Sequence, residues 1–280
     1  MKPPADLRSI AVENLTVGRM EPVRFVEEAA AAGFGRVGLP LATATPQPLE
    51  HEILGRPPVI RAIKDALHRT NTRVFDVEAF VLSPQADIGA YRRVLETGVE
   101  LGATHISAIG AQLAAMPAFP DPQQRVDLFG RLCEEAARFG LHVGVECMVY
   151  RDIPRVADAL ALIETAGSAN TGLILDVLHL HRAGTTMDEL AKLPPSRIAY
   201  AQLCGVAAGS PAVADLPKEA RTARLHPDQG VAPVRAFLDA LPDGTPLAVE
   251  TPVAAEVAWP TAQRLRSAAA HALAFFRAIG

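Results

Sequence analysis

Short apolar segments alternate along the chain with longer segments in which apolar residues recur every three or four positions. The short segments are RSIAVEN, GRVGLPL, RVFDVEAFVL, THISAIG, LHVGVECMV, TGLILDVLHL, RIAYAQLC and TPLAVETPV. Such brief, nearly continuous apolar runs are typical of parallel strands that are buried on both faces. The longer segments, among them EPVRFVEEAAAAG and DPQQRVDLFGRLCEEAARFG, have the periodicity of amphipathic helices. The pattern therefore predicts eight strand–helix pairs.

Residues at the ends of the predicted helices agree with this interpretation. Thr186 followed by Glu189 forms a capping box that opens a helix after the sixth strand. Several predicted helices end just before the next strand in glycine, the residue best suited to a helix C-terminus. These glycines are Gly33, Gly102, Gly140 and Gly167.

Eight strand–helix pairs in 280 residues fit an α/β fold of the (β/α)₈ TIM-barrel type, for which about 250 residues is typical. A doubly wound open sheet is the main alternative. It is disfavoured because no GxGxxG motif follows the first predicted strand. No linker interrupts the alternation, so we expect residues 1–280 to form one domain.

Composition restricts the class of partner. The formal net charge of −4 provides no basic surface field, which argues against nucleic acid as the main partner. The three cysteines are too few for a disulfide framework and contain no CxxC pair, which indicates a reducing cytoplasm. Neither a signal peptide nor an apolar segment long enough to span a bilayer is evident. We therefore expect a cytoplasmic protein without a membrane partner.

Polar residues end the last four predicted strands, which is where a barrel of this kind carries its chemistry. They are Glu146, Asp176, Gln202 and Glu250. Because side chains alternate along a strand, Gly144 shares the inward face with Glu146, and Ala248 shares it with Glu250. Small residues below the two glutamates leave room for them in the mouth of the barrel.

Three carboxylates that converge on one rim repel and desolvate one another unless a cation compensates them. A divalent metal ion is the simplest solution. Oxygen ligands favour Mn²⁺ or Mg²⁺ over Zn²⁺. The sequence therefore predicts a divalent metal site at this rim.

The order of these four residues, with LDVLHLHR and RLHPDQG, resembles the xylose isomerase-like TIM barrels of the sugar phosphate isomerase/epimerase group. Ketose 3-epimerases and inosose isomerases of that group hold a metal with Glu, Asp, His and Glu on successive strands. The resemblance implies that Glu146, Asp176 and Glu250 are metal ligands, with Gln202 where histidine is usual. An amide oxygen also ligates a hard cation, and the change from histidine leaves Co²⁺ and Zn²⁺ as alternatives to Mn²⁺ and Mg²⁺.

The same resemblance implies substrate contacts. The family's Asp-x-x-His motif matches Asp176 and His179, and its Arg-x-x-Pro-Gly-x-Gly motif matches residues 224–230 with aspartate replacing the first glycine. His179 and Arg224 are expected to contact substrate oxygens. Asp152 falls where some members place a second substrate-facing acid.

Two further positions bear on substrate binding. Glu78 and Asp76 share an inward parity in the third predicted strand. Glu78 is therefore a candidate substrate-binding residue, and a hydrogen-bonded acid of the barrel layer is the alternative for both. Gly205 stands where relatives often carry aspartate, which is a second departure from the family pattern.

A site of this composition supports chemistry next to a carbonyl group. The metal can chelate a carbonyl and an adjacent hydroxyl and stabilise the enediolate that forms when the α-proton leaves. Glu146 and Glu250 come from strands three apart, so one carboxylate can remove a proton while the other returns it. We therefore predict a metal-dependent isomerase or epimerase that acts on a ketose, an inosose or a related polyol ketone, with these two glutamates as catalytic residues.

Two alternatives stay open. If the enolate expels a β-hydroxyl, the same site is a lyase that dehydrates a cyclic keto acid, such as a dehydroshikimate-like compound, or cleaves an oxidised glycoside. The departures at Gln202 and Gly205 also permit a catalytically silent ligand-binding barrel. A DNA-repair endonuclease is disfavoured, because those members of the superfamily need further metal ligands and a basic groove. The expected partner is a small molecule, and the resemblance implies a homodimer or homotetramer.

Overall fold

The computed structural model describes residues 4–18, 20–41, 49–112 and 121–280. Within these ranges eight parallel strands pair in chain order, and the eighth pairs with the first to close a barrel. The strands are β1 (Ala11–Glu13), β2 (Arg36–Pro40), β3 (Arg73–Leu82), β4 (His105–Gly110), β5 (His142–Glu146), β6 (Thr171–Asp176), β7 (Ile198–Leu203) and β8 (Leu247–Val249). Each of the eight predicted apolar runs contains one strand, so the predicted (β/α)₈ TIM barrel is confirmed.

Helices surround the barrel. They are α1 (Pro22–Ala31), α2 (Pro57–Thr70), α3 (Ile88–Glu100), α4 (Pro122–Ala137), α5 (Val156–Ala166), α6 (Val177–Ala183), α7 (Met187–Ala191), α8 (Leu216–Thr222), α9 (Val234–Ala240) and α10 (Thr261–Ile279). None of these helices combines the length and the apolar character that are needed to cross a membrane.

The predicted helix ends are also observed. Thr186 Oγ1 accepts a hydrogen bond from the backbone N–H of Glu189 at 3.2 Å, and Glu189 Oε2 accepts one from the backbone N–H of Thr186 at 2.7 Å. This capping box opens α7 and satisfies backbone donors that the helix itself leaves free. All four predicted C-terminal glycines adopt a positive φ, between 66° and 104°.

Apolar side chains form two clusters that together fix the barrel. The larger cluster lies between the strands and the surrounding helices and includes the fully buried Phe25 and Phe129. The smaller one fills the barrel interior with side chains from five strands: Ala11, Phe75, Ile174, Tyr200 and Ala248. The last three lie two positions before Asp176 at the end of β6, Gln202 near the end of β7 and Glu250 just after β8. Strand alternation therefore points those polar side chains into the barrel, above the inner cluster.

The segment between β7 and α9 that spans residues 205–230 contains α8 and is tied back to β7. Leu216 and Ala220 are buried and give α8 an apolar face. Gly205 and Leu225 exchange backbone hydrogen bonds of 2.8 and 3.0 Å. The turn that carries Arg224 is therefore held directly over the end of β7.

Candidate functional site

The carboxyl ends of the last four strands bring the four predicted metal ligands to one rim. Glu146 and Asp176 are the last residues of β5 and β6, Gln202 lies in β7, and Glu250 directly follows β8. Their exposed fractions are 8, 1, 1 and 4% respectively, so the whole set is withdrawn from solvent. Residues separated by about a hundred positions thus share one buried polar site.

Arg224 lies between two of these acids. Its Nη1 is 2.5 Å from Asp176 Oδ2, and its Nη2 is 2.6 Å from Glu250 Oε2. Its Nε donates to the carbonyl oxygen of Ala220 in α8 at 2.8 Å. The guanidinium group, itself 2% exposed, therefore links β6, β8 and α8. The sequence predicted Arg224 as a substrate contact, and the structure places it as the cation that pairs with two of the predicted ligands.

His179 connects Asp176 to Glu146. Asp176 begins α6, and its Oδ1 accepts a hydrogen bond from the backbone N–H of His179 at 3.1 Å. This cap fixes the first turn of α6 and directs the His179 ring towards β5, where Nε2 lies 3.5 Å from Glu146 Oε1. One ligand atom from each of these three residues lies within 4.8 Å of the others.

Burial controls ionisation in this cluster. Burial and the charges of Asp176 and Glu250 raise the pKa of Glu146 well above its ordinary value. Burial also raises the pKa of Glu250, to about 7, although Arg224 opposes the shift. For Asp176 burial acts in the same direction, but Arg224 and His179 outweigh it and the pKa is lowered. Burial lowers the pKa of His179 to about 4, so its imidazole is neutral at neutral pH.

The residues present fit one divalent cation. When all are ionised, the carboxylates of Glu146, Asp176 and Glu250 carry three negative charges, and within the described residues one guanidinium, that of Arg224, contacts them directly. Gln202 Oε1 is buried and has no hydrogen-bond partner among the described residues. A buried carbonyl oxygen without a donor is costly unless a ligand completes it. The donor set of carboxylates, one amide and one imidazole suits Mn²⁺, Mg²⁺ or Zn²⁺.

A cleft opens over this cluster. Among the residues that line it are Glu78, Tyr150, Arg151 and Arg221, together with Glu146 and His179. The predicted substrate-binding residue Glu78 therefore faces the space that a substrate would enter. Arg151 and Arg221 could not be predicted from the polar residues at strand ends, because Arg151 lies in the turn after β5 and Arg221 lies on α8.

Asp152, in contrast, is not among the residues that line this cleft. Its Oδ2 accepts hydrogen bonds from Arg125 Nη2 at 2.8 Å and from Nε at 3.1 Å. The two bonds, which converge on one oxygen, join the turn after β5 to α4. The predicted substrate contact thus serves in this structure to anchor the turn that carries Arg151.

A second group of acids lies deeper in the barrel. Glu13, Asp76 and Glu78 each offer an oxygen within 4.8 Å of the others. The Tyr200 hydroxyl donates to Asp76 Oδ2 at 2.8 Å, whereas both oxygens of Glu13 lack a partner among the described residues. Burial raises the pKa of Asp76 to about 6 and that of Glu13 well above its ordinary value. Glu13 is the last residue of β1, so it could have been predicted in the same way as the acids that end the later strands.

Two further polar contacts hold the loops around the cleft. Arg182 in α6 forms a two-point pair with Glu219 of α8, with separations of 2.5 and 2.9 Å. His226, in the RLHPDQG motif, contacts Glu256 at 2.8 Å and stacks on His271 with 4.2 Å between ring centroids. Both contacts fix the backbone on either side of Arg224.

Comparison with known proteins agrees with this architecture. The profile of the xylose isomerase-like TIM barrel family matches residues 26–279. Over 141 residues the chain is 32% identical to the 3-dehydroshikimate dehydratase of Pseudomonas aeruginosa. That segment is 50% of this chain and only 21% of the length of the dehydratase.

Solved structures show the same fold over nearly the whole chain. The IolI protein with a bound zinc atom aligns with a TM-score of 0.80 and 14% identity, covering 97% of this chain and 99% of that one. D-allulose 3-epimerase from Methylomonas sp. aligns with a TM-score of 0.70 and 18% identity over 100% of both chains. The family profile extends from within α1 to the last residue of α10, and this chain therefore belongs to the xylose isomerase-like TIM barrel family.

Proposed function

We propose that the protein is a metal-dependent lyase that removes a proton next to the carbonyl of a small polyhydroxylated ketone and expels a β-hydroxyl as water. The observation that carries this proposal is the convergence of three buried carboxylates at the mouth of the barrel with an amide oxygen that has no hydrogen-bond partner in the described part of the chain. Acids gathered in this way without enough basic partners are typical of a cation site with acid–base function.

Glu146, Asp176, Gln202 and Glu250 would hold the metal ion, Mn²⁺ or Mg²⁺, with His179 as a further donor within reach. A bound ion of this kind polarises a substrate carbonyl and so acidifies the neighbouring C–H bond. The protein contributes a dry, rigid setting, because the side chains of the cluster are held by β-strand ends and by the cap of α6.

Two carboxylates of this chain would move the protons. Glu146 would accept the proton from the carbon next to the carbonyl, and the released electron pair would form the new C=C bond as the β C–O bond breaks. Glu250 would pass a proton to the departing hydroxyl, and burial, which raises its pKa to about 7, makes its carboxyl group easier to protonate. The substrate loses one molecule of water, and no oxidant or reductant is required.

Similarity in sequence favours elimination over isomerisation. The dehydratase relative shares 32% identity with half of this chain, whereas the epimerase aligns at 18% identity and supports the fold alone. The isomerase or epimerase predicted from the sequence uses the same proton abstraction and differs in returning the proton to carbon. The two reactions are therefore separable by their products.

The deciding experiment is incubation of the Mn²⁺-loaded protein in D₂O with 3-dehydroshikimate and, separately, with D-fructose, followed by NMR. New aromatic protons from the keto acid are the expected result. Deuterium at a carbon of unreacted or epimerised sugar, without loss of water, would instead establish the isomerase. Glu146→Gln should abolish turnover, with Glu134→Gln on the exposed side of α4 as the matched control. A protein that turns over neither compound and binds no divalent ion would refute the proposal.

A further inference from the structure

Arg151 is a buried cation of the cleft that forms no ion pair with an acid among the described residues. It is 3% exposed and lines the cleft beside Glu146 and His179. Its Nη1 donates to the carbonyl oxygen of Gly110 at 2.7 Å, and its Nε contacts Met148 Sδ at 3.2 Å. In the described part of the chain, no carboxylate oxygen lies within 4.0 Å of its guanidinium nitrogens. Tyr150 also hydrogen-bonds this side chain, and Glu146 attracts it without contacting it. Within the described residues its positive charge therefore has no ion-pair partner in direct contact, which is costly at this depth.

Arg221 is a second cation of the same cleft and reaches it from α8. Among residues 4–18, 20–41, 49–112 and 121–280, it too has no carboxylate oxygen within 4.0 Å. Burial lowers the pKa of Arg151; Tyr150 and Glu146 oppose the shift, and the charge of Arg221 adds to it. Two guanidinium groups close enough to repel each other are stable together when an anion lies between them. Arg224 differs from both, because it already pairs with Asp176 and Glu250.

Tyr150 completes this side of the cleft. The Cζ atom of Arg151 lies 5.8 Å from the centroid of the Tyr150 ring, and that ring meets His179 edge-on at 5.7 Å. Burial raises the pKa of Tyr150 to about 12, although the charges of Arg151 and Arg224 oppose the shift. The hydroxyl group therefore stays protonated and is available as a neutral hydrogen-bond donor beside the cations.

We propose that Arg151 and Arg221 form the subsite that binds a carboxylate group of the substrate. The inference rests on the proposed dehydration reaction and narrows its substrate class to keto acids. A guanidinium group presents parallel N–H donors that match the two oxygens of a carboxylate. The contacts with Gly110 and Met148 fix the orientation of the Arg151 side chain without a ligand. Arg151 can therefore orient a bound substrate without first having to be ordered itself.

Calorimetric titration of the Mn²⁺-loaded protein with 3,4-dihydroxybenzoate and with catechol tests this assignment. The first compound is the aromatic acid that results when 3-dehydroshikimate loses water, and the second lacks only its carboxylate. Arg151→Gln and Arg221→Gln should each weaken binding of the acid about 10- to 100-fold, because hydrogen bonds between charged groups are lost. Catechol binding should not change. Arg131→Gln, which alters an exposed arginine of α4, should affect neither titration.

Several results would overturn the assignment. They are absence of 3,4-dihydroxybenzoate binding to the wild type, equal affinity of the wild type and both variants for it, and an equal loss of catechol affinity. The last result would show that Arg151 acts only on the structure of the cleft, and Arg221→Gln, at the exposed rim, repeats the test without that risk. Stronger binding of D-fructose 6-phosphate than of the carboxylate would assign the two arginines to a phosphate instead.

Different results would refute the proposed carboxylate subsite and the proposed reaction. If the wild type binds 3,4-dihydroxybenzoate through the two arginines but does not dehydrate 3-dehydroshikimate, the subsite is supported and the proposed reaction is refuted. If the wild type dehydrates the keto acid and both variants retain its KM, the reaction is supported and the subsite is refuted.

Discussion

Arg224 and Glu250 form a buried ion pair, with 2.6 Å between Nη2 and Oε2, at the centre of the polar cluster. The other amino group of the same guanidinium contacts Asp176 at 2.5 Å. One arginine thus compensates part of the charge of two predicted metal ligands. The arrangement holds acids from β6 and β8 together and leaves a net negative site for a divalent ion.

Replacement of Arg224 by methionine should destabilise the protein by about 3–5 kcal/mol, because the substitution leaves two buried carboxylates without their cation. Urea unfolding at pH 7 measures this loss. Added Mn²⁺ should raise the unfolding midpoint of the variant more than that of the wild type, since the ion would then carry the whole compensation. An unfolding midpoint equal to that of the wild type would show that the ion pair contributes nothing.

Gln202→Leu should weaken Mn²⁺ binding by at least about tenfold, the smaller end of the effects measured when the surroundings of a metal site are altered. Leucine has a similar size but offers no oxygen in place of the buried Oε1, which has no hydrogen-bond partner among the residues that the structure describes. Gln202→His restores a ligand atom and is the matched control, which should bind Mn²⁺ or Zn²⁺ measurably. Calorimetric titration of metal-free protein provides both affinities, and an unchanged affinity of the leucine variant would remove Gln202 from the ligand set.

Asp76→Asn should stabilise the protein at pH 8 and leave it unchanged at pH 4. Burial raises the pKa of Asp76 to about 6, from an ordinary value of 3.8. Between these values the folded state binds the proton more tightly than the unfolded state, so stability falls as the pH rises and the loss persists above pH 6. Asparagine keeps an oxygen for the Tyr200 hydroxyl and has no charge to bury.

The expected gain at pH 8 is about 1–3 kcal/mol, from urea midpoints measured between pH 4 and pH 8. Asp65→Asn, on the exposed side of α2, should show no comparable change. Lower stability of Asp76→Asn at pH 8 would contradict the raised pKa and would mean that the fold favours the ionised carboxylate, as a bound cation would.

Gly205→Ala should destabilise the protein by about 1–3 kcal/mol or more through overpacking. An added Cβ would lie 2.2 Å from the carbonyl oxygen of His226 and 2.3 Å from that of Gln229, and both are backbone atoms. The turn that carries Arg224 would have to move, so kcat should fall with stability. Gly130→Ala in α4 meets no atom within 4 Å and should instead add about 1 kcal/mol, as alanine does in a helix. Thermal unfolding compares the two variants.

The sequence by itself determined the barrel fold and which polar residues lie at the rim of the barrel. Apolar runs of strand length that alternate with amphipathic segments can be buried in only a few folds. The spacing of apolar residues within each short segment already indicates which of its residues are buried. Side-chain alternation along each strand predicts which residues point into the barrel. The position of Glu146, Asp176, Gln202 and Glu250 late in their apolar runs predicts that they lie at one end of it. All four lie there in the structure.

Only the tertiary structure decided how these side chains pair. Arg224 meets Asp176 across 48 positions, and Asp152 meets Arg125 across 27 positions rather than lining the cleft. Arg151 and Arg221 converge on one cleft although neither ends a strand. Such partnerships depend on barrel closure and on the path of the loops, which bring together residues that no local pattern relates. Ion pairs depend on the distance between side chains in the folded protein, and separation along the sequence does not determine that distance.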